Sequence, residues 1–235
     1  MSNTVRIVFF LKPDAVIRRY VGARTLKALI EKVGGLKFLS FEEIIVDKEF
    51  LAEQHYMEHK GKFFFDWLVE YTSFAPIRFI LIEATPEKIE QIRKLLGPTL
   101  VQKAFKEAPA SIRGKFGIYG GVNVAHASDS LESAKRESTI WERYLMEKGI
   151  QLRDPDIVQR AVEEYIETYI DYPVIDNERY IELSEFLANN PDKVEEVKNH
   201  FISLLKKETD ETTRSNKILV EKFAELLVRN VLLKR

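Results

Sequence analysis

Pro76-Ile77-Arg78-Phe79-Ile80-Leu81-Ile82-Glu83-Ala84-Thr85-Pro86-Glu87 is the stretch on which the fold turns. The run from Ile77 to Ala84 is apolar, rich in β-branched side chains and bounded by turn residues, which predicts a buried strand. Thr85-Pro86-Glu87 then predicts a helix start, with a hydroxyl at the cap and proline in the first turn. Ile89, Ile92, Leu95 and Leu96 fall on one face of that helix, and Gly97-Pro98 ends it. A strand followed by an amphipathic helix must bury the face that the two share, so the chain reads as layers of helix on sheet.

Toward the N-terminus, Val5 to Leu11 is a near-continuous apolar run of strand length that delivers Lys12-Pro13-Asp14 to its carboxyl end. Leu26, Leu29, Ile30 and Val33 recur at helical spacing and Gly34-Gly35 supplies the stop. Residues 36–46 return to a strand pattern. Asp47 is placed to cap a helix running to about residue 60, and an aromatic-rich helix covers 63–72. Toward the C-terminus, residues 99–110 read as irregular apart from a helical turn, and 111–118 as the last strand. Ser130 is placed to cap a helix over 131–148. The order βαβ, helices, βα, β, α predicts an α+β sandwich of helices on one sheet.

After about Tyr144 the character changes. Asp154-Pro155, Asn190-Pro191-Asp192 and Thr212-Thr213 read as helix starts followed by apolar patterns of period 3.6, so we expect about four helices and no strands. This extension, residues 146–235, is expected to pack against residues 1–145 or against a neighbouring subunit.

Of 235 residues, 45% are hydrophobic, and 36 basic side chains nearly cancel 37 acidic ones. No overall field therefore draws the chain to nucleic acid or to an anionic membrane, and any anion site must be local. There is no cysteine, which removes disulfides, thiolate catalysis and cysteine-ligated metal sites. No apolar run reaches the roughly 18 residues of a membrane span, and the expected location is the cytoplasm.

Chemistry concentrates in Arg113-Gly114-Lys115-Phe116-Gly117-Ile118-Tyr119-Gly120-Gly121-Val122-Asn123-Val124-Ala125-His126-Ala127-Ser128-Asp129-Ser130. A single histidine stands in a short apolar segment with polar flanks. Imidazole, with an ordinary pKa of roughly 6.5, can stay deprotonated and nucleophilic in water while holding a transferred group. The alternative is a hydrogen-bonded core histidine. Both common glycine-loop phosphate cradles are missing, so a bound phosphate would be held by side chains. Lys12, Arg93, Thr99 and Arg113 are the candidates, cations opposing the charge of phosphoryl transfer.

Lys12-Pro13-Asp14, His55-Tyr56, Lys60-Gly61-Lys62-Phe63-Phe64, Ile112-Arg113-Gly114 and the run Asn123 to Ser130, taken in order with Glu132-Ser133-Ala134 and Glu137 to Trp141, resemble the signatures of nucleoside diphosphate kinases. The resemblance covers residues 4–145. It implies a ferredoxin-like α/β sandwich with an antiparallel sheet, carrying the all-helical extension behind it. It implies transfer of the γ-phosphoryl group of ATP to a nucleoside diphosphate, ping-pong, through a phosphohistidine at His126. Glu137, with Ser128, would orient the ring. Lys12 and Asn123 would contact the transferred phosphate and sugar, Tyr56 would lie near the phosphoryl group, and Arg93, Thr99 and Arg113 would hold the outer phosphates. Phe64 and Leu68 would clamp the base, a face that reads no donor–acceptor code.

The same resemblance implies Mg2+ carried by the nucleotide rather than by a protein metal site, and a homo-oligomer, the hexamer of the family. The chain departs from the family pattern at Val122, Ala127, Phe63 and Asp66-Trp67, and residues 99–113 are longer than is typical. Two other readings stand beside it. His55-Tyr56-Met57-Glu58-His59 matches the inverted zinc-peptidase pattern, which on one helix would align two imidazoles. The second is a catalytically weak or inactive nucleotide-binding or interaction module on the same fold.

Overall fold

The computed structural model describes residues 3–172 and 177–233. Its strands are β1 (Val5–Leu11), β2 (Lys37–Ile44), β3 (Ile77–Ala84) and β4 (Ala125–Ala127). They form one antiparallel sheet in the order β2-β3-β1-β4, the ferredoxin-like arrangement. β1 is central, with Phe9 opposite Ile80 on one side and opposite Ala127 on the other. Its side chains alternate between two cores, Ile7, Phe9 and Leu11 in one and Val8 and Phe10 in the other. Burial on both faces is why this strand reads as a continuous apolar run.

Helices cover each face. In chain order they are α1 (Pro13–Ile17), α2 (Arg19–Lys32), α3 (Lys48–Phe50), α4 (Phe65–Ser73), α5 (Glu87–Leu96), α6 (Val101–Glu107), α7 (Ile112–Phe116), α8 (Leu131–Glu147), α9 (Pro155–Tyr169), α10 (Asn177–Asn189), α11 (Val194–Glu208), α12 (Glu211–Ser215) and α13 (Lys217–Val231). Leu26 and Leu29 of α2, Ile89 and Ile92 of α5, and Val158, Val162 and Tyr165 of α9 pack on one face of the sheet. Trp141 of α8, Trp67 and Tyr71 of α4, and Phe201 and Phe223 of α11 and α13 share the core on the other face.

Several local expectations change. Residues 111–118 are not a strand: Ser111 accepts a hydrogen bond from the Gly114 N–H and starts the short helix α7. The fourth strand is instead the three residues around His126, too short to leave a period and set by pairing with β1. Residues 99–110 contain a two-turn helix, α6. The expected helix over 47–60 breaks into α3, a π-turn at Leu51–His55 and a 3-10 turn at Met57–His59. Asp47 does not cap it; its carboxylate accepts from the Tyr144 hydroxyl at 3.1 Å and pairs with Lys148 at 2.6 Å. Ser130 does cap α8, in a reciprocal capping box with Ser133. Asp154 caps α9 with Pro155 at its first position. The last long helix starts at Lys217, capped by Asn216, after a single turn capped by Asp210 near Thr212-Thr213.

The extension packs on its own chain, and a buried ionic network ties it there. Arg18 reaches Asp14 at 3.2 Å, the Phe116 carbonyl at 2.8 Å and Glu208 of α11 at 3.7 Å. Tyr20 donates its hydroxyl to Glu208 at 2.6 Å, and Tyr180 donates to the other oxygen of the same carboxylate. Burial alone would push the Arg18 guanidinium down, but Glu208, Tyr20, Asp14 and Tyr180 outweigh it and hold it above its usual range. Burial raises both phenols further from ionisation. Removing one partner of such a network leaves the others dehydrated and unpaired. Glu208→Ala is therefore expected to cost about 3–5 kcal/mol of stability, and Tyr20→Phe about 1 kcal/mol, read from urea unfolding followed by circular dichroism.

Candidate active site

β1 and β4 set the site's geometry. Pairing places His126 opposite Phe10, and the imidazole stacks on that ring with centroids 4.8 Å apart. Its Nε2 lies 2.9 Å from Glu137 Oε2. Ser128 Oγ donates to the same oxygen at 2.8 Å and itself accepts from the Val8 N–H at 3.1 Å. Burial pushes the Glu137 carboxyl up, but the His126 charge and hydrogen bond, with His55 and Ser128, bring it down to about 2. An ionised carboxylate only accepts, so in the neutral form of the ring the proton sits on Nε2 and Nδ1 is free. Arg136 pairs with the second carboxylate oxygen at 3.6 Å and with Glu58 at 3.1 Å.

One residue before β4 the backbone is strained. Val124 has φ of 76°, a region that costs a β-branched side chain about 1–3 kcal/mol. Asp14 Oδ2 accepts its N–H at 3.2 Å and its carbonyl accepts the Lys12 N–H at 2.8 Å. This kink lets Asn123 and His126 line the same cavity. Ala125 and Ala127 are fully buried in the core shared with α2 and α5, so the methyl of Ala127 packs away from the imidazole.

The cavity has a volume of about 820 Å³ and contacts Lys12, Tyr56, Phe64, Leu68, Arg93, Thr99, Arg113, Asn123, His126 and Glu137. Sequence reading named all of these, and Ser128 lies just behind as a buried partner of Glu137. Lys12 Nζ donates to Asn123 Oδ1 at 2.9 Å, and Asn123 Nδ2 donates to the Thr99 carbonyl at 2.7 Å. Arg113 is buried and donates to the carbonyls of Gly97, Asn123 and Ala125, which uses three of its five N–H groups. Tyr56 is buried with its hydroxyl 3.3 Å from Thr72 Oγ1. Phe64 and Leu68 stand one turn apart along the start of α4 and form an apolar wall.

Sequence reading missed Arg136, Lys103 and Trp67, and the extension's Asn230, Val231 and Leu233, all at or beside the cavity. None belongs to a motif. Lys103 lies on α6, where the sequence pattern predicts irregular chain.

His55 and His59 do not form a zinc-peptidase pair. The segment is not one α-helix, His55 is buried against Trp141, and His59 is partly exposed beside Lys62. Among the described residues, the metal-type donors that converge are those of His55, His126 and Glu137. They suit a metal poorly. Trp141 donates to His55 Nδ1 at 3.1 Å, and burial with the nearby His126 charge holds His55 well below its usual range, so its proton is on Nε2. Glu137 is already shared by His126 and Ser128.

Residues 6–144 match the family described as nucleoside diphosphate kinase. A nucleoside diphosphate kinase of Chloroflexus aggregans is 43% identical over 136 residues, covering 58% of this chain and 85% of that protein. One of Pyrococcus furiosus is 41% identical over 144 residues, 60% of this chain and 84% of its own. Among solved structures, the Aquifex aeolicus nucleoside diphosphate kinase is similar with a TM-score of 0.53 at 33% identity, covering 59% of this chain and 94% of that one. A nucleoside diphosphate kinase family protein from Babesia bovis has a TM-score of 0.53 at 35% identity, covering 64% and 93%.

Lys12 provides a pH test of the site. Burial and the Arg113 charge push its ammonium down from 10.5 to about 7, against the pull of Asp14 and with a smaller push from Arg93. A phosphate anion placed beside it favours the charged form and raises that value. Binding a phosphate-bearing ligand above pH 7 must then take up a proton, and affinity must fall as pH rises from 7 toward 9. Calorimetry of ADP binding at pH 8 in two buffers of different ionisation enthalpy is expected to report close to one proton taken up, and none with Lys12→Met.

Proposed function

The chain belongs to the nucleoside diphosphate kinase family, and we propose that it transfers the γ-phosphoryl group of ATP to other nucleoside diphosphates through a phosphohistidine at His126 Nδ1. The observation that carries the reading is the His126–Glu137–Ser128 arrangement at the wall of a cavity rich in cations. The Nδ1 lone pair attacks the γ-phosphorus, a P–N bond forms, and the bond from phosphorus to the β–γ bridging oxygen breaks. The nucleoside diphosphate leaves with that electron pair. As the ring becomes cationic, the Glu137 carboxylate on Nε2–H stabilises it. A second diphosphate then attacks the phosphorus through a terminal β-phosphate oxygen, the P–N bond breaks, and neutral imidazole is restored. The two half-reactions share one site, which is ping-pong kinetics.

Lys12, Arg93 and the two free N–H groups of Arg113 would face the negative oxygens, with Thr99 beside them and Asn123 orienting the Lys12 ammonium. Tyr56 would bound the transferring group. Phe64 and Leu68 would stack on any base, which supports broad nucleotide acceptance. Mg2+ prefers an octahedron of oxygens and retains several waters. Glu137 is engaged by His126 and Ser128, and Glu58 by Arg136, which leaves Asp129 as the third carboxylate of the cavity; as the family resemblance implies, the ion would arrive on the nucleotide phosphates, where it neutralises developing charge.

The reading extends to the whole chain as a catalytic unit, residues 1–145, with a helical accessory unit, 146–235. A homo-oligomer goes with the family, and Ile45, Met57 and Met146 are exposed apolar side chains that assembly would cover. No helix among the described residues is long and apolar enough to cross a membrane. A cytoplasmic location goes with the substrate class.

Incubation with γ-labelled ATP and Mg2+ is expected to leave acid-labile label on the protein, which GDP removes as labelled GTP; His126→Ala should abolish both. Binding of ATP without any label on the protein would favour the non-catalytic module instead.

A further inference from the structure

The extension reaches the nucleotide cavity itself. Gly120 and Gly121 line that cavity and bring no side chain to it. Gly120 has φ of 53°, and a Cβ there would lie 2.9 Å from the Asn230 side chain. Asn230, at the end of α13, is buried and makes two hydrogen bonds to this loop. It accepts the Gly121 N–H through Oδ1 at 3.2 Å and donates through Nδ2 to the Tyr119 carbonyl at 2.9 Å. The carbonyl of the same Gly121 faces Lys12 Nζ at 3.4 Å. One peptide segment thus connects a residue of the extension to the ammonium that the phosphate site depends on.

The other wall is fastened to the same helix. Trp67 of α4 donates its indole N–H to the Leu226 carbonyl at 3.0 Å, and Glu70 pairs with Lys222 at 2.8 Å and Arg229 at 2.5 Å. A Cβ on Gly121 would lie 2.9 Å from the Trp67 ring, so loop and helix are packed edge to edge. Val231 and Leu233, just beyond Asn230, add apolar surface to the cavity that Phe64 and Leu68 line.

We propose that the last turn of α13 is part of the nucleotide site: Asn230 is a positioning residue that fixes the Gly120–Gly121 loop and through it Lys12, and Val231 with Leu233 forms a nucleoside-facing wall. The proposal rests on the nucleotide-binding reading above. It makes the extension a determinant of nucleotide affinity, beyond its packing role.

The test compares the 235-residue chain as wild type, Asn230→Ala, Leu233→Ala and Val197→Ala. ADP affinity is followed by quenching of tryptophan fluorescence, since Trp67 lines the cavity, alongside the thermal midpoint and the single-turnover rate of labelling from ATP. Asn230→Ala is expected to weaken ADP about tenfold and to slow labelling, through two lost hydrogen bonds. Leu233→Ala, a partly buried side chain beyond the end of α13, should weaken ADP about threefold by lost apolar contact. Val197→Ala, which trims the buried face of α11, a helix that does not line the cavity, should lower the midpoint with ADP affinity unchanged. If Asn230→Ala moves only the midpoint, as Val197→Ala does, and Leu233→Ala leaves affinity unchanged, the inference is overturned while the kinase reading stands. Wild type that binds no ADP would overturn the nucleotide reading itself.

Discussion

One carboxylate oxygen, Glu137 Oε2, accepts hydrogen bonds from both His126 and Ser128. The account of the site depends on that pair of contacts. They keep Glu137 ionised in a buried position, and an ionised Glu137 fixes the proton on His126 Nε2. The ring cannot turn over without losing the bond. Each partner is held by a regular element: His126 and Ser128 at β4 by pairing with β1, and Glu137 by the first turns of α8, whose start the Ser130 capping box defines. The central strand is thus both the core of the sheet and the ruler that sets the position of His126.

The cationic half of the site is costly in the free protein, because Lys12 and Arg113 are buried near one another with Asp14 as their nearest opposing charge. Burial and the Arg93 charge hold Arg113 down to about 9, and burial and the Arg113 charge hold Lys12 to about 7, both against the pull of Asp14. Such an arrangement is poised for an anion, which would relieve the repulsion. Asp14 holds it together, accepting from Tyr71 at 2.5 Å, Arg18 at 3.2 Å and the strained Val124 N–H at 3.2 Å. Through Arg18 the same carboxylate connects to Glu208, so the extension is bound into the site's charge balance as well as its wall.

Much of this was legible in the chain. The strands at Val5 and Ile77 announce themselves because each buries a near-continuous apolar run, β2 shows itself by Phe38, Leu39 and Phe41, and Lys12, Arg113, Asn123, His126 and Ser128 stand in compact motifs. The fourth strand was not legible: Ala125–Ala127 is too short for a period, while Ile112, Gly114 and Phe116 alternate like a strand and are a helix because Ser111 caps them. A helical turn does follow Asp47, but the carboxylate is taken by Tyr144 of α8 and by Lys148 just beyond it, and the chain passes into a π-turn at Leu51–His55. Asn230 could not be read at all. It lies 109 residues from Gly121, on a helix whose own pattern speaks only of packing, and it meets the loop only once the extension has folded back.

The central claim is that Glu137 reserves Nε2 and leaves Nδ1 as the nucleophile. The most direct measurement is heteronuclear NMR of protein labelled with 15N at histidine and phosphorylated by ATP, which identifies the ring nitrogen coupled to phosphorus. Coupling to Nδ1 of His126, with the proton retained on Nε2, is the result this account predicts. Phosphorus coupled to Nε2, or to another histidine, would contradict it.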